Sequence, residues 1–163
     1  MTAEERTVQR DRMRFIKNSL ASNLAILGIL FDVFYFISIC KSDVDTWYYT
    51  ILIGASIVYN LVFMLATFLS SEGVKNYKKH YSYLLAVLGV IQILRIFIIP
   101  AQAHAATAVV NGETVAVMQD GQFYRVAAYL ILSAACLIGS AAVNFIRCRE
   151  LAEHLKTLDV QGV

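Results

Sequence analysis

The stretch Leu20–Cys40 reads LASNLAILGILFDVFYFISIC, an apolar run with a single charge, Asp32, set just past its midpoint. About 20 such residues are what a helix needs to cross roughly 30 Å of hydrocarbon. Three further runs have the same character: Tyr48–Leu69, Tyr81–Ile99 and Val126–Ile146. A chain of 163 residues that is 58% hydrophobic and 16% charged leaves too little polar surface for a water-soluble domain of this size. Its mean hydropathy of +0.60 points the same way. The expected fold class is therefore an all-α membrane protein: a four-transmembrane-helix bundle formed as one integral membrane domain over residues 1–163. The first run has no A-x-A cleavage pattern behind it and is expected to remain in the mature protein.

Lys and Arg are retained on the cytoplasmic side of short connections. The head carries Arg6, Arg10, Arg12, Arg14 and Lys17, the middle connection Lys75, Lys78 and Lys79, and the tail Arg147, Arg149 and Lys156. The opposite side holds Lys41 and Arg125. This bias predicts a multi-pass protein of the cell membrane with both termini cytoplasmic, the head spanning residues 1–19 and the tail 147–163. Trp47, Tyr48 and Tyr49, with Phe123 and Tyr124, are placed to mark the outer interface, and Tyr77, Tyr81 and Tyr83 the inner one. Pro100 is expected to close the third helix.

The outer loop, residues 100–125, contains Asn111-Gly112 between β-favouring residues. Both positions of a two-residue turn need positive φ, so a short extracytoplasmic β-hairpin is expected between the third and fourth helices. Asp120-Gly121 offers a second turn. In the head, Thr2 and Glu5 form a possible capping box for a helix leading into the first span. The tail is expected to continue the fourth helix, with Leu151, Leu155 and Leu158 on one face.

Inside the membrane, small and polar residues fall on common helix faces. Ala21, Ala25, Gly28 and Asp32 share one face of the first helix, and Ser56, Asn60 and Thr67 one of the second. Tyr129, Ser133, Cys136, Ser140 and Asn144 align on the fourth, where Ala135-x-x-x-Gly139 adds a close-approach pattern. At about 1.5 Å rise per residue, Asp32, Gln92 and Ser133 each lie roughly 12 Å below the outer boundary. By the same rise Arg95 lies at about 7 to 8 Å and Asn60 near 18 Å. An isolated charge at such depth costs about 2.5–3.5 kcal/mol on insertion scales, and pairing lowers that cost. The candidate intramembrane polar site is thus Asp32, Asn60, Gln92, Arg95 and Ser133. Asp32 is expected to pair with Arg95, while Gln92 and Asn60 satisfy the leftover oxygens. The competing arrangement has Arg95 snorkelling to the headgroups and Asp32 left protonated.

Other chemistry finds no foothold in the sequence. Cys40, Cys136 and Cys148 fall at three different membrane levels, too far apart for a bridge, and no C-x-x-C is present. Cys148, at the cytoplasmic interface, is open to acylation on position alone. His80, His104 and His154 have no metal-ligand spacing, and no phosphate-binding glycine motif occurs. No catalytic, cofactor-binding or metal-binding residues are therefore expected, nor any nucleic-acid partner. The sequence points to a non-enzymatic accessory or interaction subunit of a membrane complex, in contact with the lipid bilayer and either a membrane-protein partner or further copies of itself. The alternative is a small oligomeric transporter or channel in which Asp32, paired with Arg95, couples protons or cations.

Overall fold

The computed structural model describes residues 16–39, 47–110 and 113–161. Its elements are α1 (Ser19–Ile39), α2 (Trp47–Lys75), α3 (Lys79–Ile98), α4 (Pro100–Ala105), β1 (Thr107–Val110), β2 (Glu113–Ala116) and α5 (Asp120–Gln161). Four of the helices, α1, α2, α3 and α5, are long and apolar enough to cross a membrane. They close into a ring: α5 packs chiefly on α1 and α3, and α2 packs on the same two helices. We refer to the end with Lys75, Lys78 and Lys79 as the basic end and to the other as the strand end.

Burial in this bundle inverts the soluble pattern. On α1 the hidden face is Ala21, Ser22, Ala25, Gly28, Asp32, Tyr35 and Ile39, while Ile26, Leu30, Phe34 and Ile37 point outward. On α2, Ser56, Asn60, Thr67, Ser70 and Ser71 are buried, whereas Val58, Leu61, Val62, Leu65 and Phe68 are exposed. Lipid tails solvate Leu as well as a protein core does, so small and polar residues are what draw such helices together. Gly28 is one point of close approach: a Cβ there would stand 2.9 Å from Leu137 Cδ2 and 3.4 Å from the Ser133 carbonyl oxygen. Gly89 is the counterpart on α3, where a Cβ would meet Ile138 Cγ1 at 2.7 Å and the Ala134 carbonyl oxygen at 3.3 Å. The two glycines let α1 and α3 press onto neighbouring faces of the same stretch of α5, residues 133–138.

Several boundaries differ from the sequence expectation. The second helix runs on past Leu69 to Lys75, and its polar residues near that end satisfy their hydroxyls on their own helix: Thr67 donates to the Phe63 carbonyl, Ser70 to that of Ala66 and Ser71 to that of Phe68. It ends in a Schellman turn, with Tyr77 N–H to the Val74 carbonyl, Lys78 N–H to the Gly73 carbonyl, and Tyr77 at φ 58. The third helix closes at Ile98, just ahead of Pro100, as expected, yet Pro100 does not end helical structure. It cannot donate to the preceding turn, so the ladder breaks at Ile99 and restarts with Pro100 in the first turn of α4, where a missing N–H costs nothing.

Residues 100–125 are accordingly not a loop. α4 occupies the start, β1 and β2 pair antiparallel with Thr107 opposite Ala116 and Val110 opposite Glu113, and α5 begins at Asp120. Asp120-Gly121 opens that helix rather than forming a turn, since Gln122 and Phe123 N–H both reach the Gln119 carbonyl and an acidic first-turn residue suits the helix dipole. Val117 and Met118 are buried with Ala103, Tyr35, Ile39, Val126 and Leu130, which closes the strand end. The tail continues the fourth span within the same helix. The Ala135-x-x-x-Gly139 pattern faces outward instead of into the bundle: Ala135 is exposed and nothing lies within 4 Å of a Cβ placed on Gly139. Ala134, Leu137 and Ala141 take the buried side. The capping box at Thr2 and Glu5, the Asn111-Gly112 turn, Cys40 and Lys41, and the Trp47, Tyr48, Tyr49 and Leu158 side chains lie outside the described residues.

Candidate functional site

Midway between the ends, two residues of α3 meet Asp32 of α1, and they are met in turn by one residue each from α5 and α2. Gln92 of α3 donates Nε2 to Asp32 Oδ1 at 2.8 Å and approaches Ser133 Oγ of α5 at 3.3 Å. Ser133 in turn donates its hydroxyl to the Gly28 carbonyl at 2.9 Å, one turn from Asp32 on the face where α1 and α5 come closest. Arg95, three residues on from Gln92 and so on nearly the same face, brings Nη1 to within 3.2 Å of Asp32 Oδ1. Its Nη2 donates to Ser56 Oγ of α2 at 3.1 Å. Asp32, Gln92 and Ser133 are fully buried and Arg95 is 4% exposed, so the snorkelling arrangement does not occur.

The guanidinium is also held by two aromatic faces. Its central carbon lies 4.3 Å from the Tyr35 ring centroid and 4.5 Å from that of Tyr59. A desolvated cation over an aromatic ring gains up to about 2 kcal/mol, and here the rings also replace lipid contact. Arg95 therefore engages Asp32, Tyr35, Ser56 and Tyr59, residues of α1 and α2, while its own backbone belongs to α3.

Asn60 does not join this network. It is 1% exposed, yet neither its amide nitrogen nor its oxygen has a hydrogen-bond partner among the described residues. The reason is level: Ser56, not Asn60, stands opposite Arg95, and Asn60 lies one turn, about 6 Å, nearer the basic end. Asp32 Oδ2 and Gln92 Oε1 are likewise buried without a partner among the described residues. Four of the five expected residues thus come together, and the carboxylate uses one oxygen for both of its bonds.

A second polar knot lies at the basic end. Asn144 of α5 accepts at Oδ1 from Asn18 Nδ2 at 2.9 Å and donates Nδ2 to Ser82 Oγ at 2.6 Å. Ser140 donates to the Ala21 carbonyl at 2.6 Å, and Asn18 N–H to the Lys75 carbonyl at 2.9 Å. Cys148 is buried with Sγ 3.1 Å from the Tyr77 carbonyl, a contact that takes the thiol away from an acylating enzyme. At the strand end His104 Nε2 lies 2.9 Å from Asp120 Oδ1 and its ring packs on Phe123 at 4.7 Å.

Sequence reading missed Tyr35, Tyr59, Asn18 and Ser82, and it noted Ser56 without assigning it to Arg95. Tyr35 and Tyr59 carry a legible signal, since each lies three residues after a polar site member and far from the interfaces where tyrosine normally collects. Ser82 precedes Gly89 and Gln92 by seven and ten residues, which puts it on the face of α3 that turns inward. Comparison with known protein families, curated proteins and solved structures finds no match. The class of this chain rests on its own architecture, that of a multi-pass membrane protein.

Proposed function

We propose that this chain is a non-enzymatic subunit of a membrane complex that receives a transmembrane helix of another membrane protein on the outward face of α5. The observation that carries this reading is the run Ala135, Gly139 and Ala142, at i, i+4 and i+7. Ala135 and Ala142 are exposed, and a Cβ on Gly139 would meet nothing within 4 Å. Gly28 and Gly89 are accounted for by contacts inside the bundle, whereas the smallness of this stripe serves no contact among the described residues. Small residues facing lipid permit the close backbone approach by which helices associate. Both termini face the cytoplasm in this reading, the membrane is the cell membrane, and the paired strands form a lid on the far side. The test is purification at native abundance in mild detergent with sizing and mass spectrometry. A stoichiometric membrane partner is expected, lost on Gly139→Leu with the fold intact. A lone monomer would refute it.

The buried atoms without partners favour a second reading, a small oligomeric transporter or channel. Asp32 Oδ2, Gln92 Oε1 and the Asn60 side chain offer one anionic oxygen, two neutral oxygens and a donor at neighbouring levels. Buried polar groups in such a state mark sites where water, a proton or an ion is handled. Ion-coupled flux in liposomes that disappears in Asp32→Asn would favour this role, and flux unchanged by that substitution would end it.

A further inference from the structure

A groove of about 570 Å³ lies between the start of α3 and the second half of α5 at the basic end. Its lining divides sharply by chemistry. Tyr83, Phe145 and Ile146 supply an apolar floor, with the Tyr83 and Phe145 rings packed edge to face at 4.9 Å. Lys79, Arg149 and Lys156 supply the rim. The carboxylate of Glu153 also lines the groove and accepts from Arg149 Nε at 3.1 Å. Among the described residues neither Lys79 nor Lys156 has an ion-pair partner.

We propose that this groove binds one anionic phospholipid, with its phosphate beside Lys79 and Arg149, the rest of its headgroup toward Lys156, and an acyl chain along Phe145 and Ile146. Charge complementarity supports the occupant: three cations face one carboxylate that is already engaged by Arg149. The level supports it as well. Phe145 and Ile146 close the fourth apolar run, Arg149 follows about one turn later at roughly 6 Å, and Lys79 begins α3, so the groove straddles the boundary between hydrocarbon and headgroups. Tyr83 and Ile146 are 64% and 59% exposed, a surface that suits an acyl chain and not a soluble anion. Basic pockets between membrane helices are a recognised way to hold such headgroups. The inference is independent of which membrane protein, if any, meets α5.

The test uses the full-length protein, delipidated in neutral detergent and titrated with phosphatidylglycerol, with phosphatidylcholine of the same chains, and with soluble glycerol phosphate, bound species being counted by native mass spectrometry. One saturable phosphatidylglycerol is expected, with phosphatidylcholine at least about tenfold weaker and glycerol phosphate not retained. Each lysine near the headgroups contributes roughly fivefold in affinity, so Lys79→Gln with Lys156→Gln weakens binding about thirtyfold. Lys75→Gln with Lys78→Gln removes the same charge from the same end outside the groove and is expected to change affinity by less than about threefold, because those charges reach the bound headgroup only through screened solvent. All four lysine side chains sit at the surface, so the fold is retained. Equal losses in the two double variants would reduce the effect to diffuse attraction and overturn the site. Retention of glycerol phosphate as tight as the lipid would overturn the lipid as occupant, and absence of saturable binding would overturn both.

Discussion

Replacing Arg95 by Gln is the sharpest probe of how this bundle is held. The substitution leaves the Asp32 carboxylate fully buried with Gln92 as its remaining described donor. Stripping one partner from a buried ion pair costs about 3–5 kcal/mol. Two aromatic faces and the Ser56 bond go with it, and a desolvated cation–π contact adds about 1–2 kcal/mol, for a total near 4–7 kcal/mol. Asp32→Asn leaves the Arg95 guanidinium buried without its counter-ion, but the asparagine oxygen, Ser56 and the two tyrosine rings still hold it, so the cost is expected near the low end of the range for a stripped ion pair, about 3 kcal/mol. In the double variant no buried charge remains, so the two costs are not additive, and a coupling of about 2 kcal/mol is expected. The assay is unfolding in mixed micelles by titrated denaturing detergent, read by circular dichroism for all four proteins. A cost below about 1 kcal/mol for Arg95→Gln, or additivity within about 0.5 kcal/mol, would show that the pair does not hold the helices together.

The glycines give a graded series by thermal unfolding. Gly28→Ala and Gly89→Ala push a methyl group against Leu137 and Ile138 beside backbone carbonyls and are expected to cost about 1–3 kcal/mol each, whereas Gly139→Ala meets nothing and is expected to be neutral or to stabilise by up to about 1 kcal/mol through helix propensity. At the basic end, Asn144→Leu deprives Asn18 and Ser82 of their partner and is expected to cost about 1–3 kcal/mol for each group left unpaired. The same variant removes the Asn144 Oδ1 acceptor 3.7 Å from Cys148 Sγ, so labelling by a membrane-permeant maleimide, slow in the parent, is expected to accelerate; equal rates in the two proteins would show that Asn144 does not help to hold the thiol.

The spans were legible because hydrocarbon thickness fixes a length and Leu20–Cys40 meets it. The site was legible in part for a related reason: a charge such as Asp32 or Arg95 in a run of that length must be answered, and each is the other's nearest answer by depth. Depth along a helix follows from rise per residue, but contact across helices depends on rotation and tilt, which no single run records. Asn60 shows the limit. It shares a face with Ser56, yet one turn separates a residue that meets Arg95 from one that does not. Polarity misled in the opposite sense at residues 70–75 and 120–125, where serines bonded back to their own helix and an acidic first turn sit inside helices that continue through segments that read as connections.

The route by which α2 is tied to its neighbours follows from these contacts. α1 and α3 are each fixed to α5 twice, by a glycine against a carbonyl and by side-chain bonds at two levels, Ser133 and Gln92 at mid-depth and Ser140 and Asn144 near the basic end. α2 has no comparable glycine contact with α5 among the described residues. At mid-depth its described polar links run through Arg95, to Ser56 and to the Tyr59 ring, and at the basic end through the Lys75 carbonyl to Asn18. Since apolar side chains gain little by leaving lipid, Val58, Leu61 and Leu65 do not hold α2 in place. Arg95 is then both the counter-ion of Asp32 and the mid-depth polar tie of α2, beside the packing of Phe63 and Val74 in the core. One residue with two such duties explains why a charge that costs energy to insert stands where an apolar side chain would have inserted more cheaply.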